Sequence, residues 1–154
     1  MNGGHRMSTF HEINASDVFR AGPRVVSEAQ IIEFAQRHDP QFFHVDPVRA
    51  AASRWGGVIA SGWMTCLIAM ELAVSAVLAG SNSIGSPGIE QLQWETPVRP
   101  GDSLWLCITV LESRVSSSGA VGIVRWRWEL TNQRQERVLH LITTSLFDLA
   151  GKGS

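Results

Sequence analysis

The run from Trp63 to Leu78, WMTCLIAMELAVSAVL, is apolar around nearly the whole circumference of a helix. A helix of that kind has to be surrounded, either by lipid or by other parts of its own fold. Lipid is the poorer host. The run falls short of the ~20 apolar residues that a span requires, and Glu71 sits near its middle, where a charge costs ~2.5–3.5 kcal/mol. No basic cluster flanks it. The run therefore reads as a central buried helix, and the rest of the chain must supply what encloses it.

Beyond Gly80 the hydrophobic period changes from helical to alternating. Gly85 to Gly88 reads as a loop and Ile89 to Glu95 as a strand with Leu92 and Trp94 on one side. Thr96 to Asp102 is a turn dense in proline and glycine. Leu104 to Glu112 is a second strand, apolar on both faces and hence interior. In Val121 to Leu130, Val124, Trp126, Trp128 and Leu130 face one way and Arg125, Arg127 and Glu129 the other. Val138 to Leu149 is a further long strand. Ser116–Gly119 and Asn132–Gln135 are short connectors, which makes these strands antiparallel neighbours. The predicted fold is α+β: one domain over residues 13–150, an antiparallel sheet wrapped around a long central helix, with shorter strands and helices ahead of it. Residues 1–12, polar and glycine-containing, read as a flexible tail. Such a sheet leaves an edge open and apolar rows uncovered, which a second copy of the chain would cover.

Ahead of the central helix the punctuation is dense. Ser27-Glu28-Ala29-Gln30 reads as a capping box, opening a helix from about Glu28 to Arg37. Pro40 biases Asp39 away from helical backbone and stops it. Asp46-Pro47 starts another short helix, through roughly Trp55. Gly56-Gly57 ends that helix, and Ser61 is placed to cap the central one. Between these signals Asp39 and His44 project from a short irregular loop, close to a helix N-terminus whose N–H groups can receive a negative oxygen. An acid–base pair beside such donors is what adding or removing water next to a carbonyl requires. Each residue also has a plain structural role open to it: Asp39 as a helix terminator, His44 as a satisfied loop histidine, Asp46 and Ser61 as caps.

The bulk properties narrow the function classes. With 154 residues the chain can bury roughly 68–70% of its unfolded surface in one core. A formal net charge of −1 gives no reason to expect nucleic acid or an anionic membrane as partner. Cys66 and Cys107 lie in apolar runs and read as buried free thiols of a reducing cytoplasm. No cysteine or histidine spacing suits a metal, and no apolar signal core is visible at the N-terminus.

Together, Asp39, His44 and Asp46, the small residues Ala50-Ala51-Ala52, Gly56-Gly57-Val58-Ile59-Ala60, Gly62 and the turn Pro97-Val98-Arg99-Pro100-Gly101-Asp102 resemble the MaoC-like hot-dog group. That group includes R-specific enoyl-CoA hydratases and acyl-thioester dehydratases. The resemblance covers about residues 15–149. Its pattern is Asp-x-Asn-Pro-x-His-x-Asp, then a glycine-rich approach and Ala-His-Gly at the helix start. Here Gln41 occupies the asparagine position, Pro40 follows the aspartate directly, and Ser61 replaces the histidine before Gly62.

The resemblance implies a hydratase or dehydratase of 2-enoyl thioesters. Asp39 and His44 would hold one water as catalytic acid and base, and the Gly62 N–H would receive the thioester oxygen. Phe42, Phe43, Trp63 and Met64 would wall an acyl chain, with the Ser61 hydroxyl against the thioester. The substrate would be an acyl-CoA, with coenzyme A entering only as part of it and no other cofactor. The protein would be a cytoplasmic homodimer or higher even homo-oligomer. Two other readings stand beside this one: a hot-dog thioesterase, and a non-catalytic acyl-binding subunit of a heteromeric dehydratase.

Overall fold

The computed structural model describes residues 9–151. Among them, five strands form one antiparallel sheet in the order β1-β3-β4-β5-β2: β1 (Val18–Val25), β2 (Ser83–Trp94), β3 (Ser103–Val115), β4 (Val121–Thr131) and β5 (Arg137–Asp148). The helices are α1 (Glu28–His38), α2 (Phe42–Val45), α3 (Pro47–Ala51) and the central α4 (Gly62–Ala73), which continues as a π-helical turn over Val74–Leu78. The single domain is a hot-dog fold, the sheet curling around α4.

Alternation in the sequence becomes a face in the sheet. Val124, Trp126, Trp128 and Leu130 of β4 are all buried beneath α4, each stabilising the fold by ~1.5–3 kcal/mol. Leu104, Leu106, Ile108 and Val110 of β3 continue the same inner surface. From the helix side, Met64, Ile68, Ala69 and Leu72 enter the same cluster. The two short connectors fold β3, β4 and β5 into adjacent antiparallel strands, with Trp126 opposite Thr143 and Trp128 opposite Leu141.

Several expectations are corrected by this arrangement. The central helix is not enclosed on all sides: Trp63 (58% exposed), Leu67, Met70 and Val74 form an open stripe down one flank of the helical segment. The sheet covers only one side of α4, and β2, which could have shielded another, is itself an edge strand carrying exposed Ile84, Ile89 and Trp94. Gly85–Gly88 is no loop. It lies within β2, where register shifts at Gly85 and Gly88 absorb their positive φ angles of 136° and 153°. Pro87 is tolerated there because the strand is an edge. The helix after Asp46 stops at Ala51, well short of Trp55. β3 is interior to the sheet, yet its outer face is only partly covered, with Trp105 exposed and Cys107 half-buried.

Residues 9–12, read above as tail, have defined structure. Thr9 opens a 3-10 turn, Phe10–Glu12, and Phe10 is 4% exposed. Its ring lies on Gly122, where a Cβ would come within 2.4 Å of it, and packs against Phe147. The remainder of the expected tail, residues 1–8, lies outside the described residues. Among the described residues, no helix is long and apolar enough to cross a membrane.

Candidate active site

The site is assembled from three short pieces of chain. α1 opens at Ser27, whose hydroxyl accepts from the Gln30 N–H while Gln30 reaches back to the Ser27 N–H. It ends at His38, and Asp39, kept out of helical backbone by the following proline, donates its N–H to the Ala35 carbonyl at 2.8 Å. His44 does not sit in irregular loop; it belongs to the single turn of α2. Asp46 is a cap, accepting from the Arg49 N–H ahead of Pro47 at the start of α3.

The second piece, residues 56–61, runs alongside. Gly56 and Gly57 take positive φ angles of 66° and 154°, reversing the chain after α3. Ile59 then donates to the Phe43 carbonyl and Ala60 to the Val98 carbonyl, so this stretch is stitched between α2 and the 97–102 turn. That turn is fixed by Asp102, 3% exposed, whose carboxylate accepts from the Arg99 N–H and from Gln133 Nε2.

The result is a dyad at the mouth of α4. His44 is 4% exposed, and its Nδ1–H donates to the Ile59 carbonyl at 2.6 Å. Because a carbonyl can only accept, this bond fixes Nδ1 as the protonated nitrogen and turns Nε2 toward Asp39. Nε2 lies 3.2 Å from Asp39 Oδ2. Oδ1 accepts from Gln41 Nε2 at 2.7 Å, and Oδ2 also accepts from the Ser61 hydroxyl at 2.8 Å. Burial pushes the Asp39 carboxyl up, but the Gln41 and Ser61 hydrogen bonds and the neighbouring imidazole outweigh it and hold the group below its ordinary range.

Asp39 and His44 line a cavity of about 450 Å³ together with Gly62, Trp63, Thr65 and Trp94. Ser61 precedes α4 without capping it by its side chain. Among the described residues, no side chain accepts from the first N–H groups of α4, and Gly62 and Trp63 at this helix end line the cavity. Trp94 lies against the same helix end, its Nε1–H donating to the Gly62 carbonyl at 2.9 Å and its ring edge-on to Trp63.

Of the residues singled out in the sequence, Asp39, His44, Gly62 and Trp63 come together on the cavity. Ser61 is fully buried behind it and faces Asp39, so its hydroxyl is neither a cap nor a wall. Phe42 and Phe43 do not line the cavity. Phe43 packs edge-on to His44 and against Trp55, backing the imidazole, while Phe42 meets Phe43 edge-on and lies beneath the Arg49 guanidinium. Met64, 6% exposed, belongs to the core because its position on α4 points at the sheet.

Trp55, Trp94, Glu95 and Val138 line the cavity without having been predicted to. Trp94 and Glu95 were legible only as the end of a strand, and nothing local says that this end meets the start of α4. Glu95 is held ionised by paired hydrogen bonds from Arg137, which lower its carboxyl. Among the described residues, no three metal-binding side chains converge.

Comparison with known proteins agrees with this fold. A MaoC-like dehydratase of Rhodospirillum rubrum is 36% identical and superposes with a TM-score of 0.82, over 90% of this chain and 94% of that one. The protein YdeM of Bacillus subtilis is 30% identical over 127 residues, 82% of this chain and 89% of its own length. An R-hydratase of Pseudomonas aeruginosa, at 20% identity, shares the fold with a TM-score of 0.73 over 90% of this chain and 84% of that one. The family described as "MaoC like domain" matches residues 12–127, and the chain belongs to that family, whose solved members include dehydratases.

Proposed function

We propose that this protein is a hydratase or dehydratase acting on 2-enoyl thioesters of the acyl-CoA type. The observation that carries the reading is the Asp39–His44 pair, 3.2 Å apart, in the same cavity as the uncapped start of α4. In hydration, water bound between the Asp39 carboxylate and His44 Nε2 bonds through its oxygen to C3. The C2=C3 electron pair moves toward the thioester, building charge on its oxygen, and C2 then takes a proton. One proton leaves the water and one arrives at C2, so the pair ends as it began. The Gly62 N–H receives the thioester oxygen, a donor of a kind typically worth about 2.7–4 kcal/mol. Dehydration runs the same steps backwards.

The apolar walls suit an acyl group. Trp63, Trp94 and Val138 border the dyad. A second cavity of about 260 Å³, lined by Cys66, Leu67, Met70 and Ile89, lies further along α4. Coenzyme A enters only as part of the substrate. A homodimer fits the open apolar flank of α4 and the exposed edge strand β2.

The test is hydration of crotonyl-CoA, followed by loss of enoyl-thioester absorbance, with thiol release measured in parallel. Absorbance is expected to fall without thiol appearing, and Asp39→Asn and His44→Ala each to lower the rate by about 10²–10⁴-fold. Thiol release by the wild type moves the reaction to thioester hydrolysis. Near-normal rates in both variants remove the dyad from the chemistry.

A further inference from the structure

Resting on the hydratase reading, we infer that Ser61 is a positioning residue: its hydroxyl, withheld from capping α4, fixes the Asp39 carboxylate so that Asp39 stays the anion and His44 Nε2 carries the mobile proton. A serine just before a helix ordinarily turns its oxygen to accept from the N–H groups of the first turn. Ser61, fully buried, makes no such bond and instead donates to Asp39 Oδ2 at 2.8 Å, across 22 residues of sequence. One rotamer choice therefore has two effects. It leaves the first N–H groups of α4 without a side-chain acceptor, and it commits a hydrogen to the carboxylate oxygen that faces His44.

The other ligands of the carboxylate act in the same sense. Gln41 Nε2 occupies Oδ1 at 2.7 Å, and His44 Nε2 faces Oδ2 at 3.2 Å. Donors to an ionised carboxylate favour the ionised form, and two converge on Asp39: Ser61 on Oδ2 and Gln41 on Oδ1. The imidazole is restrained in the opposite manner: its Nδ1–H is tied to the Ile59 carbonyl, so the nitrogen facing Asp39 is the one free to gain or lose a proton. Of the other ionisable groups near Asp39, Glu95 lines the same cavity but is bound to Arg137, and His38 packs on Phe34. Ser61 and Gln41 stand where the family pattern has a histidine and an asparagine, so this clamp belongs to this chain's own pair of departures.

Carbon-13 NMR of the Asp39 carboxyl and the His44 imidazole, in the substrate-free full chain, reads the clamp directly. In S61A the Asp39 carboxyl is expected to titrate at higher pH than in the wild type. S61C, similar in shape but a weak donor, is expected to fall between them. If S61A does not fold, S61C alone decides. In parallel, the acid limb of kcat/KM for crotonyl-CoA hydration should move up in the same order, and kcat should fall roughly 10- to 100-fold with KM little changed, the effect of losing a hydrogen bond to a charged group. A folded S61A or S61C whose Asp39 titrates as in the wild type overturns the assignment. A wild type inactive as a hydratase overturns the hydratase reading and leaves the titration to judge Ser61. Activity with an unmoved titration overturns Ser61 alone.

Discussion

The indole of Trp94 lies directly on Gly62: a Cβ at position 62 would stand 2.5 Å from the ring, and Nε1 donates to the Gly62 carbonyl. The pair joins the end of the edge strand β2 to the first residue of α4, and so sets one wall of the cavity. Gly62→Ala must push the indole aside or move the helix start. The first removes one wall of the cavity and the second displaces the proposed oxyanion donor, and a misplacement near 1 Å costs on the order of 10²-fold in rate. Crotonyl-CoA kinetics would register the loss, and a shift in tryptophan emission would report the moved ring. Unchanged kinetics and emission together would show that the contact is incidental.

Asp39 makes stability depend on pH in the acid range. Its folded-state carboxyl lies below the ordinary 3.8, because the Gln41 and Ser61 hydrogen bonds and His44 outweigh the opposing effect of burial. The unfolded state therefore takes up this proton first as pH falls. The stabilisation is fully present above the unfolded value and is lost as pH drops through the folded one. Urea unfolding from about pH 6 down to about pH 3 should show a steeper decline for the wild type than for Asp39→Asn. Parallel curves would argue against the arrangement around the carboxylate.

Phe10 belongs to the core although it precedes the expected domain start at residue 13. Its buried ring fills the space that Gly122 leaves open and touches Phe147. Phe10→Ala should cost ~3–5 kcal/mol in urea unfolding, the range for emptying a buried aromatic site. A value under ~0.5 kcal/mol, the scale of ordinary surface substitutions, would return this segment to the tail.

The apolar flank of α4 predicts self-association. Leu67 and Met70 are 53% and 45% exposed in the single chain. Placing a charge in a dimer contact leaves it buried and unpaired, so Leu67→Asp and Met70→Asp should each shift the protein from dimer to monomer in native mass measurements. A monomeric wild type would contradict the proposed dimer.

Much of the fold was legible because it depends on local pattern. The alternation of Val124, Trp126, Trp128 and Leu130 can satisfy burial only as a strand with one face inward, and short connectors permit only antiparallel neighbours. The Ser27 box and the Pro40 stop placed α1 within a residue of its observed end. β1 was given no bounds, since Val18–Val25 alternates with charged residues, glycine and proline and is completed only by pairing with β3. Gly85–Gly88 was misread because glycines that bend a strand carry the same local signal as glycines that end one.

At the proposed site, sequence by itself determined where Asp39, His44 and Gly62 stand in the local backbone, through a proline that stops a helix, a fixed spacing and a glycine at a helix start. Those are short-range constraints, and the backbone obeys them wherever the segment finally packs. Tertiary structure alone decided which way the side chains around these residues turn. Ser61 had a cap within reach and gave its hydroxyl to Asp39; Phe43 had a cavity to line and backed the imidazole; Trp94 crossed from the sheet edge to cover Gly62. A hydroxyl or indole N–H takes the acceptor that the whole fold brings within about 3 Å, and that partner is set by long-range packing that no local pattern encodes.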